Sequence, residues 1–153
     1  MAYTAPIKLS QDGNYTVSYR STDNAGNVEA IKAIGFNLDA TAPTITVSGL
    51  VYGTYSDSMD ITPIFTLGDN LSGVDSSKST VTVSTYGVKQ TVQKGAAIPM
   101  YTLSLGTHTL IVTASDLAGN TESQTVMFQT TTSTQSLQAL VTRFTNSGWM
   151  RRR

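Results

Sequence analysis

The sequence predicts an all-β protein whose main part is a two-sheet antiparallel sandwich. Three observations support this fold class. Apolar and polar residues alternate with a period of two in several short segments. Clusters of Gly, Asn and Asp separate these segments, and such clusters are typical of turns. Up to about residue 130 the chain shows no helical spacing of its apolar residues, so strands must form the core.

Each alternating segment places its apolar residues on one face of a predicted strand. In chain order these sets are Ile45 and Val47; the odd positions from Met59 to Leu67, with Ile64 the exception; Val81 and Val83; Tyr101, Leu103 and Leu105; His108, Leu110, Val112 and Ala114; and Val126 with Phe128. Seven or so strands within about 90 residues are typical of an immunoglobulin-like sandwich. We therefore predict one complete sandwich over residues 40–130.

A turn sequence occurs twice, as Asp23–Asn27 and as Asp116–Asn120, 93 residues apart. With Tyr15 aligned to His108, seven positions are identical: Gly13/Gly106, Thr16/Thr109, Asp23/Asp116, Ala25/Ala118, Gly26/Gly119, Asn27/Asn120 and Glu29/Glu122. A repeat of this length indicates tandem modules. Residues 1–39 are therefore predicted to be the C-terminal half of a preceding repeat, in a chain cut from a longer protein.

The N-terminal half-repeat is expected to form a β-hairpin. Its first strand carries Tyr15, Val17 and Tyr19, and its second carries Ile34, Phe36 and Leu38. An isolated hairpin is marginally stable in water, so we expect this segment either to fray or to take a partner.

The pattern changes after residue 130. Thr130–Gln135 is predicted to be a linker, and a helical stripe follows, formed by Leu137, Leu140, Val141 and Phe144. Ser133 or Thr134 is a candidate N-cap, and Gly148 is a candidate end of the helix. Residues 131–153 are thus predicted to be a linker and a truncated amphipathic helix. The helix either begins another small domain or docks onto the sandwich.

Composition excludes several function classes. Ten basic and ten acidic residues give a net charge of zero, and charged residues make up 13% of the chain. This balance offers no electrostatic footprint for nucleic acid. No apolar run is long enough for a membrane span. The absence of cysteine excludes thiolate metal sites, disulfides and cysteine catalysis. The basic run Arg151–Arg153 is interpreted as a solvated tail.

The sequence predicts no enzymatic site. His108 is the single histidine and lies on the inward face of a predicted strand, where a structural role is expected. The chain has no Gly-x-Ser-x-Gly segment and no phosphate-binding glycine loop. Its carboxylates are concentrated in turns, unlike a glycosidase pair facing a cleft. We therefore predict a non-catalytic module, which leaves open an activity elsewhere in a larger protein.

Oxygen-bearing side chains are predicted to converge at one pole of the sandwich. The loops after the second and the sixth strand return to the pole where the linker from the hairpin arrives. This set comprises Asp39, Asp69, Asp75, Asp116 and Asn120. Such oxygens suit Ca²⁺. The competing hypothesis is turn chemistry alone, because Asp and Asn bond the local backbone while Gly26 and Gly119 supply positive φ.

Tyrosines at the opposite pole give a second candidate ligand surface. Tyr52 and Tyr55 lie in the predicted turn after the first strand of the sandwich, where exposed rings could stack on sugars. Tyr101 follows strand parity and is predicted to belong to the core.

The motifs resemble those of a known family. The sequences of Tyr19–Glu29 and Asp39–Thr44 resemble the joint between bacterial immunoglobulin-like repeats, and Asp69–Asp75 and Gly106–Asn120 look like the two signature turns of one repeat. Together they cover residues 12–130. Such repeats occur in secreted polysaccharide-degrading enzymes and surface adhesins, particularly of Gram-positive soil bacteria. The resemblance implies secretion or surface display and, in some relatives, calcium at the linkers.

These observations predict a structural spacer in a larger secreted or cell-surface bacterial protein. Its partners would be neighbouring domains of the same chain, which it holds at a distance set by the stiffness of the linker. The alternative is an adhesion module that binds a polysaccharide or a cell-wall or matrix polymer.

Overall fold

The computed structural model describes residues 3–146 and the side chains of residues 3–143. The elements in chain order are β1 (Gly13–Tyr19), β2 (Lys32–Leu38), β3 (Thr44–Ser48), β4 (Thr54–Ser56), β5 (Asp60–Ile61), β6 (Ile64–Gly68), β7 (Thr80–Thr85), β8 (Val88–Thr91), β9 (Ile98–Pro99), a 3-10 helix (Met100–Thr102), β10 (Gly106–Ser115), β11 (Thr121–Thr131) and α1 (Thr134–Asn146). Residues 3–146 are therefore mostly β with one short C-terminal helix, as the sequence predicted.

Strands β3–β11 form two layers. The larger sheet has the order β4-β11-β10-β7-β8, in which β4 runs parallel to β11 and the other pairs are antiparallel. The opposite layer consists of the antiparallel pairs β3-β6 and β5-β9. Strands β5 and β6 are separated by Thr62 and Pro63, since proline has no amide hydrogen to donate to a sheet. The prediction of one strand over Met59–Leu67 is thus correct in place and interrupted in the middle.

The core lies between these two layers. Its buried members come from both sheets and the segment before β10: Leu50, Phe65, Val81, Val83, Ile98, Met100, Leu103, Leu110, Val112 and Phe128. Strand β10 contributes most because every second residue from His108 to Ala114 is buried. The predicted parities of β3, β7, β10 and β11 are confirmed, because the side chains assigned to the core face inward.

Two residues of one predicted inward-facing set are exposed. Tyr101 is 73% exposed, and Leu105 is 51% exposed. The chain leaves β9 at Pro99 and turns through the 3-10 helix, whose period of three places Met100 and Leu103 on one side. Both of those side chains are buried, and Tyr101 lies between them on the outer side. A period of two does not apply to this segment.

Strands β1 and β2 form a separate antiparallel hairpin before the sandwich. Its apolar side chains share one face, as predicted, but this face is only partly covered. The ring of Tyr15 stacks on that of Phe36 with centroids 5.8 Å apart, while Ile34 remains 59% exposed.

Helix α1 begins where the sequence indicated. Ser133 is the N-cap, because its Oγ accepts a hydrogen bond from the amide of Ser136 at 3.0 Å. Leu137, Leu140 and Val141 are each half exposed or more, so the sandwich does not cover this part of the stripe. The side chain of Phe144 and the predicted helix end at Gly148 lie outside the described residues, as do Trp149 and Arg151–Arg153.

Candidate functional site: an acidic joint between hairpin and sandwich

The two copies of the turn fold into the same corner. In the first, Asp23 Oδ1 accepts the amides of Ala25 and Asn27, and Oδ2 accepts Asn27 Nδ2 at 2.7 Å. In the second, Asp116 Oδ1 accepts the amides of Gly119 and Asn120, and Oδ2 accepts Asn120 Nδ2 at 2.7 Å. These bonds close each turn by satisfying its backbone amides.

Both corner glycines have the positive φ that the sequence predicted. The values are 90° for Gly26 and 99° for Gly119, in a region that glycine enters without the steric cost of a Cβ. The surroundings of the two corners differ, however. Asp23 is exposed, whereas Asp116 has 0% exposure. The second corner is covered by the linker from the hairpin and by the loop after β6.

Three carboxylates converge at the buried corner. Asp39, Asp69 and Asp116 each place an oxygen within 4.8 Å of the others. Asp39 comes from the linker after β2, Asp69 directly follows β6, and Asp116 follows β10. Strands β6 and β10 end at this pole, as does the incoming linker, so the fold gathers residues that are far apart in sequence. We call this group the acidic joint.

Asp69 carries the one carboxylate oxygen of the acidic joint that lacks a partner. Its Oδ1 accepts the amides of Leu71 and Gly73, at 3.0 and 2.6 Å. Its Oδ2 is buried and has no hydrogen-bond partner. A buried carboxylate oxygen that is unpaired costs free energy unless another group compensates it.

Asp39 accepts hydrogen bonds at both of its carboxylate oxygens. Oδ1 accepts the amide of Thr41 at 3.1 Å, and Oδ2 accepts the amide of Ser72 at 3.0 Å. The pKa of Asp39 lies below its ordinary value, chiefly because of the Ser72 side chain; the amides of Ser72 and Thr41 add to the effect, and burial opposes it. The hydroxyl of Ser72 is buried beside Asp39 and has no hydrogen-bond partner. The hydrogen bond that Ser72 donates to Asp39 therefore comes from its backbone amide.

Asn120 acts as a donor at the joint. Its Nδ2 faces Asp116 Oδ2 and the backbone oxygens of Asp39 and Thr41, at 2.7, 3.2 and 3.3 Å. The sequence had suggested Asn120 as an oxygen ligand. In this orientation it instead ties the corner after β10 to the linker, while its neighbours supply the anionic oxygens.

Asp75 lies outside the acidic joint, although the sequence had grouped it there. Its Oδ1 accepts the amide and hydroxyl of Ser77, and Oδ2 pairs with Lys78 Nζ at 3.3 Å. The pKa of Asp75 is lowered first by the Ser77 side chain and then, against the effect of burial, by Lys78 and the Ser77 amide. These local bonds hold the carboxylate in its own turn.

Asp12 lies on the hairpin side of the acidic joint and bonds the same linker, and the sequence gave no signal for it. Its Oδ1 accepts the amide of Ala40 at 2.7 Å, and its Oδ2 accepts the hydroxyl of Thr41. Asp12 immediately precedes β1, so these bonds fix the hairpin to the linker. The contact spans 28 residues of sequence and depends on how the linker folds back along the hairpin, which no local pattern encodes.

The acidic joint has the spacing that a cation site requires. Oxygens that share a Ca²⁺ at about 2.3–2.6 Å lie within about 5 Å of one another, and the three carboxylates each offer an oxygen within 4.8 Å of the other two. Within the described residues the ion pairs are Lys32–Glu29 and Lys78–Asp75. The acidic joint therefore has no basic partner there, and its three carboxylates repel one another.

His108 has a structural role, as predicted. It is 1% exposed, and its ring lies 5.1 Å from that of Phe128. Nε2 is 2.9 Å from the carbonyl oxygen of Ser104, which can only accept, so Nε2 carries the hydrogen. Nδ1 then accepts from the hydroxyl of Thr85 at 2.7 Å. Burial lowers the pKa of His108, against a smaller rise from Ser104.

The tyrosines at the opposite pole divide into two kinds. Tyr55 is not displayed, because its ring packs edge-on against Phe128 and its hydroxyl bonds the backbone of Val51. Tyr52 is 78% exposed. Tyr86 and Tyr101 are also exposed, at 79% and 73%, and both lie at this pole. Tyr86 lies in the turn between β7 and β8, and Tyr101 lies in the 3-10 helix, although its strand parity in the sequence had assigned it to the core.

Comparison with models of known protein families and with curated proteins gives no match for this chain. Within residues 3–146, no helix is both long and apolar enough to cross a membrane.

Proposed function

We propose that the chain is a structural spacer of the immunoglobulin-like type, which holds a preceding β-unit at a fixed orientation. The strand order supports the fold type. In the larger sheet, β7, β10 and β11 take the places of strands C, F and G. In the opposite layer, β3 takes the place of strand A, β5 and β6 together that of strand B, and β9 that of strand E. The resemblance of the turns to bacterial repeats supports the wider setting, a larger secreted or cell-surface protein.

The observation that carries this proposal is a linker bonded on both sides. Asp12 holds Ala40 and Thr41 on the hairpin side, while Ser72 and Asn120 hold Asp39 and Thr41 on the sandwich side. Pro43 is buried at the same joint, and its fixed φ also restricts the residue before it. A linker with these constraints is stiff, and a stiff linker sets distance and direction.

Spin labels test the stiffness directly, because the chain contains no cysteine that would react elsewhere. Ser18→Cys on β1 and Gln90→Cys on β8 replace exposed residues on the two units. Double electron–electron resonance should give a narrow distance distribution, and Asn120→Ala should broaden it. A broad distribution for the otherwise unchanged chain rejects the spacer proposal.

We further propose that a divalent cation, best matched by Ca²⁺, stiffens the acidic joint. The unpaired Asp69 Oδ2 and the three unneutralised carboxylates support this site. A cation would compensate their repulsion, and binding to the folded state alone raises the melting temperature as free cation increases. Turn chemistry remains the competing explanation, since every other carboxylate oxygen of the joint already accepts a hydrogen bond.

Asp69→Asn separates these explanations. The Asn oxygen can still accept the amides of Leu71 and Gly73, while the unpaired anionic oxygen is removed. Calorimetry with calcium and with a chelator should show a calcium-dependent rise in melting temperature that Asp69→Asn abolishes. Asp75→Asn is the matched control, because Asp75 lies outside the joint, and it should keep the rise. An unchanged melting temperature in calcium would leave turn chemistry alone.

The three exposed tyrosines favour one second candidate function, recognition of a polysaccharide. Tyr52, Tyr86 and Tyr101 all lie at the pole opposite the acidic joint, and rings at such positions could stack on sugars. Retention of the chain on insoluble polysaccharide, lost in Tyr52→Ala, would support this function. Recovery in the supernatant for every polymer tried would leave the spacer as the better account.

A further inference from the structure

The N-terminal hairpin matches the last two strands of the sandwich pair by pair. Tyr15 is opposite Phe36 in β1–β2, and His108 is opposite Phe128 in β10–β11. Both pairs bring their rings together, with centroids 5.8 and 5.1 Å apart. The next inward pair is Val17–Ile34 in one and Leu110–Val126 in the other. This register shows that the repeat continues into β2, after a one-residue insertion that hides it from a fixed alignment.

The two hairpins differ in what covers them. Leu110 and Phe128 have 0% exposure, whereas Ile34 and Phe36 are 59% and 40% exposed. Strand β10 pairs with β7, and β11 pairs with β4. In the described part of the chain, β1 and β2 pair only with each other. The N-terminal hairpin therefore has both edges unpaired, and its apolar face is only partly covered.

A symmetric dimer formed through the apolar faces of two hairpins would bury too little surface to be stable. Each seven-residue strand spans about 23 Å, and two strands about 4.8 Å apart give a face of roughly 250 Å². Two such faces bury about 500 Å² in total, well below the roughly 1,200 Å² of a stable interface. The partner must also reach the strand edges.

We propose that the hairpin is a two-strand donor that completes an incomplete sandwich of the same strand order. Its partner is a polypeptide with strands equivalent to β3–β9 that lacks the last two. Such a partner would pair antiparallel with β1, as β7 does with β10, and parallel with β2, as β4 does with β11. It would also cover Tyr15, Val17, Ile34 and Phe36 with apolar side chains. This inference rests on the modular function proposed above.

Residues 44–104 of this chain provide the probe, because they contain β3–β9 without β10 and β11. The probe is added to the full chain, and in a second arm it is fused ahead of Met1 through a flexible Gly/Ser linker, which raises its effective concentration. Hydrogen exchange followed by mass spectrometry should show new protection over residues 13–38. No gain in protection there, in either arm, overturns the proposal.

Variants of β1 show whether the apolar face is responsible. Val17→Asp places a charge on that face and should weaken the apparent affinity of the probe at least about tenfold. Thr16→Asp is the matched control, because Thr16 points to the opposite, exposed face, and it should bind the probe as the unchanged chain does. Equal protection in Val17→Asp and Thr16→Asp contradicts a face-directed contact.

A third variant controls for the case in which Val17→Asp loses probe binding only because the hairpin no longer forms. Val17→Leu introduces the residue found at the equivalent position 110 and should bind the probe at least as well as the unchanged chain. Loss of binding in this variant also contradicts the proposal. The spin-label experiment on the joint is independent, so a flexible joint with a working donor, or the reverse, separates this inference from the spacer function.

Discussion

Asp23 and Asp116 each accept three hydrogen bonds within their own corner, but in two different surroundings. Around the buried Asp116, removal of the carboxylate takes an acceptor from the amides of Gly119 and Asn120 and from the Asn120 side chain, which keeps only the backbone oxygens of Asp39 and Thr41. Around the exposed Asp23, water can take over that role. The energetic weight of a corner of this kind therefore comes from burial and only secondarily from the motif.

We expect Asp116→Ala to lower the free energy of unfolding by about 1–3 kcal/mol, because a buried carboxylate that accepts three hydrogen bonds is lost from the corner. Asp23→Ala serves as the matched control and should leave the urea midpoint of the sandwich unchanged. Urea unfolding followed by circular dichroism measures both variants. Equal losses would show that the turn itself, and not its burial, determines the stability.

His108 should make the sandwich sensitive to mild acid. Burial lowers its pKa in the folded state below the ordinary 6.5, so the unfolded chain takes up a proton first as the pH falls. The free energy of unfolding should therefore decrease from pH 6.5 downward, until the folded pKa is passed. Carboxylates whose pKa is lowered in the folded state reduce the free energy of unfolding only at lower pH, as the pH falls through their ordinary pKa values of 3.8 for Asp and 4.5 for Glu.

His108→Gln tests this interpretation because glutamine does not titrate. The slope of the unfolding free energy between pH 6.5 and 5 should be present in the unchanged chain and absent in the variant, whatever the variant's absolute stability. Urea unfolding at several pH values measures it. A slope that persists in His108→Gln would assign the acid sensitivity to another group.

At the scale of elements, helix α1 begins at a cap that is itself anchored. Asp57 Oδ1 accepts the amide of Ser133 at 2.7 Å, and the Asp57 amide donates to the oxygen of Thr131. The pKa of Asp57 is lowered first by the Ser133 amide, against the effect of burial, with smaller contributions from the side chains of Ser133 and Ser136. The start of the helix is thus tied to the end of β4.

The sequence left Ser133 and Thr134 open as caps, and the structure distinguishes them. Ser133→Ala should destabilise the first turn of α1 by about 1 kcal/mol, since the cap bond to the Ser136 amide is lost. Thr134→Ala, within the helix, should leave it intact. Amide exchange rates of the first turn, measured by NMR, provide the comparison. Faster exchange in Thr134→Ala alone would contradict the assignment of the cap.

The elements could be predicted where one periodicity holds throughout a segment. Strand β10 shows this best, because a central strand of a buried sheet has a strict inside and outside. The prediction failed at Tyr101, where the chain changes from an extended strand to a 3-10 helix within two residues. Asp39, Asp69 and Asp116 could be grouped because the strand order brings their loops together. Asp12 and Asp75 could not be placed, since their contacts depend on side-chain choices within the folded joint.

At the scale of the whole molecule, the described residues form a sandwich, a hydrogen-bonded joint, a partly covered hairpin and a C-terminal helix. The bonds that Asp12 makes to the linker lie on the hairpin side, outside the apolar layer between the sheets. The attachment of the hairpin and the stability of the sandwich should therefore be separable properties.

Asp12→Ala tests this separation. The substitution removes both bonds from the hairpin side to Ala40 and Thr41, so the hairpin should reorient relative to the sandwich while its own strands stay paired. We expect NMR relaxation of β1 and β2 amides to report faster, independent tumbling, with the melting temperature of the sandwich unchanged. Asp60→Ala on β5, far from the joint, is the control and should affect neither measurement. Unchanged tumbling of the hairpin in Asp12→Ala would show that the sandwich-side bonds of Ser72 and Asn120 suffice. A lowered melting temperature would show instead that joint and core form one cooperative unit.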